Sequence, residues 1–189
     1  MRARITIGTD RFAPATVPSV VTIRPLRTED IEGVVDVHMS GWLSAYNGIL
    51  AEEILASLDR TRWLQRYKDQ AASDGPWQTF VAVAERPLGH VTFGPYREQG
   101  SEKIDNAVGE ILSIYINSSV YGTGVGGQLL TTALEMLPQR EVRLWVLAEN
   151  RRARRFYEKF GLRPDGEREM WTPRGSALAY PEIRYSITR

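Results

Sequence analysis

The stretch that most constrains this chain is Val120 to Leu129, VYGTGVGGQL. Four glycines, Gly122, Gly124, Gly126 and Gly127, fall within six residues, and an apolar helical pattern follows at once. Glycine weakens regular structure, so such a cluster marks a place where the backbone must bend sharply or be approached closely. The residues before it, GEILSIYI, read as a strand. Gly124 to Leu137 carries Val125, Leu129, Leu130, Ala133, Leu134 and Leu137 at helical spacing. Strand, glycines and helix start together form an anion cradle, because the first N–H groups of a helix are unpaired and carry partial positive charge. Each favourable charge there is worth roughly 0.3–1 kcal/mol.

The anion is not held as in a nucleotide P-loop. That motif needs a lysine and a Ser/Thr after its last glycine, and here Gln128 and Leu129 follow Gly127. The dinucleotide pattern G-x-G-x-x-G does match at Gly122, Gly124 and Gly127, and Glu149 lies about where a ribose-gripping acid would stand. Position counts against it. A long segment of different architecture precedes the motif, and too little chain follows to complete a doubly wound sheet.

The rest of the chain supplies that architecture. Val20 to Leu26 is β-branched and reads as a strand. Arg27 to Trp42 places Ile31, Val34, Val35, His38 and Trp42 at helical spacing, Asn47-Gly48 breaks the pattern, and Glu52 to Tyr67 resumes it as a second helix. Trp77 to Gly94 reads as a hairpin, and Pro95 to Ala107 as a polar loop. Glu141 to Leu147 is a strand, Arg151 to Phe160 a short helix stopped by Gly161, and Glu167 to Thr172 and Glu182 to Thr188 two closing strands. The order is β α α β β β α β α β β, a mixed α/β chain. Residues 1–19, rich in proline and polar groups, read as a flexible arm, and 20–189 as one domain.

Composition removes several classes. A formal net charge of +1 gives no footprint for nucleic acid. The absence of cysteine excludes disulfides, thiol nucleophiles and thiolate metal sites, and fits a reducing, cytoplasmic setting. No apolar run is long enough to span a bilayer, and the N-terminus lacks the apolar block of a signal peptide. His38 and His90 are far apart in sequence without metal-ligand partners, so no metal is expected.

A second motif decides between the anions. Leu144 to Leu162, LWVLAENRRARRFYEKFGL, follows the next strand. Together with EILSIYINSSVYGTGVGGQLL it resembles the GNAT superfamily of N-acetyltransferases. Asn150, Ala153, Phe156, Tyr157, Glu158, Lys159 and Gly161 match that family's second motif in register, and Gly124 and Gly126 match the last two glycines of its loop. The resemblance runs from about Val21 to Ile187. It implies a central, mostly antiparallel, twisted sheet of about seven strands with helices on both faces. Tyr121 departs from the pattern, standing where Gln or Arg is usual, and NSSV replaces a more acidic approach to the loop.

The resemblance also implies acetyl-CoA as donor and an amine as acceptor in a ternary complex. Tyr121, Gly122, Thr123, Gly124, Val125, Gly126 and Gly127 would surround the pyrophosphate. Ile114, Tyr115 and Ile116 would pair through their backbone with the pantetheine arm. Asn150 would hydrogen-bond the cofactor, and one of Arg151, Arg152, Arg154 and Arg155 would meet its 3′-phosphate. Glu110 is the expected general base, acting through water, and Tyr157 the acid that protonates the departing thiolate. Trp42, Tyr46 and Trp63 are expected to line the acceptor cleft. The acceptor is a small-molecule amine or a peptide or protein amine, and the family allows a homodimer. The competing readings are an acyl-CoA-binding module without turnover and a dinucleotide oxidoreductase.

Overall fold

The computed structural model describes residues 20–98 and 103–189. The expected arm, residues 1–19, lies outside them. Seven strands form one sheet in the order β1-β2-β3-β4-β5-β7-β6. They are β1 (Thr22–Pro25), β2 (Gln78–Val83), β3 (Pro87–Arg97), β4 (Ile104–Ile116), β5 (Glu141–Leu147), β6 (Arg163–Trp171) and β7 (Tyr180–Thr188). The helices are α1 (Ile31–Tyr46), α2 (Glu52–Ala56), α3 (Arg60–Ala72), α4 (Val125–Met136) and α5 (Arg151–Lys159). Only β4 and β5 run parallel among the described ladders, and α4 makes the crossover that parallel neighbours require. This is the mixed sheet expected from the sequence, and it is not the doubly wound sheet of a dinucleotide domain.

Alternation along the strands puts helices on both faces. On β2, Phe80 and Ala82 point into the larger core with Leu129, Leu130 and Ala133 of α4. Val81 between them points the other way, against Ile31, Val34 and Val35 of α1 and Tyr67 of α3. Gly41 lets α1 lie close to the sheet, for a Cβ there would come within 2.8 Å of the Tyr115 ring.

Three boundaries differ from the sequence reading. The expected second helix is two helices, because Asp59 caps a new start: its Oδ1 accepts from the N–H groups of Thr61 at 2.9 Å and Arg62 at 3.2 Å. The expected polar loop 95–107 is largely strand, since β3 runs to Arg97 and β4 begins at Ile104. Its ladder continues beyond the core, where Arg97 pairs with Ile104 and no apolar alternation is needed. Likewise β6 begins at Arg163, and as an edge strand exposed along nearly all its length it has no buried face to imprint a pattern.

Candidate active site

The sheet opens where β4 and β5 part. Their parallel ladder holds only at Val108–Glu141, Gly109–Val142 and Glu110–Arg143. Immediately beyond, β4 carries an extra residue: Phe93 of β3 pairs with Ile111 and Thr92 with Ser113, which leaves Leu112 as a bulge. A bulge bends its strand. From there β4 stays paired to β3 as far as Ile116, while its other edge faces a cavity of about 550 Å3. Trp145, Val146, Asn150, Phe156 and Tyr157 form the opposite wall, and Gly122 and Gly126 lie at its end. An unpaired strand edge beside a cleft is a template for an extended, amide-bearing ligand.

The four glycines serve different ends. Gly122 and Gly124 have φ of 77° and 93°, the left-handed region that favours glycine, and a Cβ at either would meet nothing within 4 Å. They turn the chain and leave space. Gly126 lines the cavity. Gly127 packs instead: a Cβ there would sit 2.7 Å from the Phe160 ring of α5. Gly124 is the N-cap of α4 and offers no side chain to its first turn. By contrast, Asn150 caps α5 by accepting from the Ala153 N–H at 3.1 Å. The N–H groups opening α4 are therefore left for another acceptor, which suits an anion.

Of the residues expected to hold the cofactor, Ile114, Tyr115, Ile116, Tyr121, Gly122, Gly126 and Asn150 line this cavity, as does Tyr157. Val125 is buried in the core, and the Thr123 hydroxyl is turned to the Val120 carbonyl at 2.7 Å. Tyr121 replaces the usual long polar side chain with a bridge. Its hydroxyl accepts from Arg152 at 3.2 Å and bonds Ser44 of α1 at 3.1 Å, with the Arg152 guanidinium 4.5 Å from its ring centre. Arg152, Arg155 and Lys159 bring positive charge to the cavity. Arg154 is occupied elsewhere, donating to Tyr185 and to the Ala148 carbonyl.

A second cavity of about 660 Å3 adjoins the first. Both are lined by Tyr46, Ile111, Leu112, Ser113, Tyr115 and Trp145, so they meet at the bulge. Glu110, 7 % exposed, faces the second cavity. Burial raises its pKa, and this is opposed by Arg97, whose backbone N–H donates at 3.1 Å and whose Nε lies 3.7 Å away. Tyr157 is buried between Phe156 and Tyr185, and its hydroxyl has no hydrogen-bond partner among the described residues. Burial, and next to it Tyr46, push its pKa well above the ordinary tyrosine value, so the hydroxyl stays protonated. A proton acceptor on one side of the junction and a proton donor on the other is a set suited to transfer of a group between two ligands.

Trp42, Tyr46 and Trp63 line the second cavity. So do residues that sequence reasoning missed: Arg62 and Arg66, which share a face of α3 with Trp63, and Trp145 and Trp171. The two histidines, distant in sequence, stack with ring centres 5.3 Å apart. Burial holds both neutral, with His90 pushed down to about 3 and His38 well below its usual value. Among the described residues no group of three or more His, Cys, Asp or Glu could hold a metal ion, and no helix is long and apolar enough to cross a membrane.

Comparison with known proteins agrees with this geometry. Residues 42–162 match the acetyltransferase (GNAT) family. The chain is 29% identical over 174 residues to the probable N-acetyltransferase Rv2775 of Mycobacterium tuberculosis, covering 91% of this chain and 96% of that one. It is also 29% identical over 136 residues to the uncharacterized N-acetyltransferase YuaI of Bacillus subtilis, covering 69% and 74%. Among solved structures, the PaiA N-acetyltransferase of Thermoplasma acidophilum in complex with coenzyme A superposes with a TM-score of 0.70 at 21% identity, over 90% of this chain and 99% of that one. At that identity the likeness is one of fold. The chain belongs to the GNAT family of acetyltransferases, enzymes that transfer an acyl group.

Proposed function

We propose that this enzyme moves the acetyl group of acetyl-CoA to a primary amine by direct attack in a ternary complex. The observation that carries the reading is the junction of two cavities at the β4 bulge, with Glu110 facing one and Tyr157 the other. The open N-terminus of α4 and the glycines beside it receive the pyrophosphate, and the free edge of β4 from Ile111 to Ile116 pairs with the pantetheine amides. Arg152, Arg155 and Lys159 meet the remaining phosphate charge. Tyr121 rests against this donor cavity through its bridge.

An alkyl ammonium has a pKa of about 10 and cannot attack until it loses a proton. Glu110 takes that proton, through water. The amine nitrogen then forms its bond to the thioester carbonyl carbon, and the carbon–sulfur bond breaks. An N–H of the β4 edge stabilises the charge on the carbonyl oxygen. Tyr157 gives its proton to the leaving sulfur, and recovers one as the new amide nitrogen sheds its excess proton. The products are the N-acetyl compound, CoA thiol and one proton.

The test has two parts. Acetyl-CoA should raise the melting temperature, whereas NAD and ATP should not. A panel of amines should then release free CoA. Equal stabilisation by NAD would overturn the donor assignment, and tight acetyl-CoA binding without turnover on any amine would favour a binding module instead.

A further inference from the structure

We propose that the acceptor is a free amino acid with an apolar side chain, its carboxylate seated on Arg62 and Arg66 and its amine turned toward Glu110. This deepens the acetyl-transfer reading above and rests on it.

The first observation is the state of the charges around the second cavity. Four arginines and four carboxylates line it. The carboxylates are engaged. Asp59 caps α3, Glu98 pairs with Lys103 at 3.0 Å, Glu110 is held by Arg97, and Glu182 has a partner as well. The guanidinium groups of Arg62 and Arg66 have no ion pair or hydrogen bond among the described residues. Arg66 rests only over the Trp63 ring, at 5.1 Å. The two stand one turn apart on the cavity face of α3, and Arg97 lies near enough for its charge to oppose that of Arg66. Like charges gathered at a cavity are stabilised by a ligand of opposite sign. A polyamine has no such group, and a protein N-terminus has its carboxylate converted to an amide.

The second observation is His38. It is 2 % exposed and lines the same cavity. Its Nδ1 is bonded to the Tyr67 hydroxyl at 2.9 Å, and its Nε2 is buried without a partner. A buried ring nitrogen left unpaired is costly, so a polar group of the ligand completes it. The third is the apolar wall. Four of the chain's five tryptophans, Trp42, Trp63, Trp145 and Trp171, line this one cavity, which suits an apolar or aromatic body. Glu110, Arg62, Arg66 and Arg97 all line this cavity, and Arg97 Nε lies 3.7 Å from Glu110. An amino acid carries its amine and carboxylate on one carbon and presents both to that one cavity.

Matched pairs test this. With saturating acetyl-CoA, the enzyme is assayed on L-phenylalanine against phenethylamine and on L-leucine against isoamylamine. The amino acid should win by about tenfold to hundredfold in kcat/KM, the worth of a charge-assisted hydrogen-bonded contact. In Arg66→Gln, and in Arg62→Gln as a second surface variant, that preference should collapse, mainly through KM for the acid. Equal or better use of the plain amines, or a preference that survives both variants, overturns the proposal. If no amine is turned over, the acetyl-transfer reading fails separately, and calorimetry then decides the anion site. N-acetyl-L-phenylalanine titrated into the CoA-loaded protein should bind more tightly than N-acetylphenethylamine, and Arg66→Gln should abolish the difference. No difference in the wild type refutes the site.

Discussion

The buried histidine pair makes folding sensitive to acid. His38 and His90 are the only histidines in the chain, so all histidine-linked proton uptake on unfolding comes from this stack. Both have folded-state pKa values depressed below 6.5, chiefly by burial, with Arg66 also opposing protonation of each. A depressed pKa means that stability is fully present above about pH 6.5 and is lost as pH falls, down to about 3 for His90. At pH 5.5, below the ordinary histidine value, each histidine costs on the order of 1 kcal/mol, so the pair costs about 2–3 kcal/mol relative to pH 7.5. For a chain of this size that lowers Tm by about 4–12 °C. Glu110 works in the opposite sense, because its raised pKa favours the protonated folded form as pH falls. It is present in every variant and cancels in the comparison. The assay is urea unfolding at pH 7.5 and 5.5 for wild type, His38→Gln, His90→Gln and the double variant. Each single change should remove about half of the histidine-linked loss, whatever it does to absolute stability. A double variant with the wild-type pH dependence would refute the account.

Tyr157→Phe keeps the packing and removes only the hydroxyl. Its kcat should fall by about 10²–10⁴-fold, with acetyl-CoA affinity little changed, in a steady-state and calorimetric comparison. Glu110→Gln should lose rate at neutral pH and recover part of it at high pH, where the amine is already neutral, while Tyr157→Phe shows no such rescue in a pH–rate profile. Gly126→Asp puts a carboxylate at the cavity end without left-handed strain, and its Cβ would come no closer than 3.3 Å to the tip of Ile116 and 3.7 Å to the Phe156 ring, so the protein should fold yet bind CoA far more weakly by calorimetry. Gly41→Ala drives a methyl to within 2.8 Å of the Tyr115 ring and should cost about 1–3 kcal/mol in chemical denaturation.

Local and periodic features were legible in the sequence because each is decided within a few residues. The glycine run marked the turn into α4, the apolar period of Leu129, Leu130 and Ala133 marked its buried face, and the two matching motifs identified the family. The core segments of β2, β4 and β5 were legible as strands because each is a short apolar-rich run that ends up buried. Where no face is buried, nothing was written: the first residues of β6 and the outer end of β4 escaped for that reason, while the end of β3 was read as loop although Pro95 and Tyr96 are buried. The cap at Asp59 that splits α2 from α3 was a local signal that was present but overlooked.

What only the tertiary structure decided is which distant groups meet. Four glycines in one run look alike, yet Gly127 packs on Phe160 while Gly122 and Gly126 border a cavity, and the difference lies in where α5 comes to rest. Leu112 becomes a bulge only through its register against β3, and that extra residue is where β4 parts from β5. His38 and His90 belong to different elements and stack because α1 lies on the Val81 face of the sheet. The second cavity draws its lining from all three of α1, α2 and α3, from strands β3 to β7 and from the start of the β6–β7 connection, so no local window of sequence contains it. Sequence patterns record the burial of a face by its own period. A cavity is bounded by side chains whose spacing is set by how elements pack, and that spacing leaves no period to read.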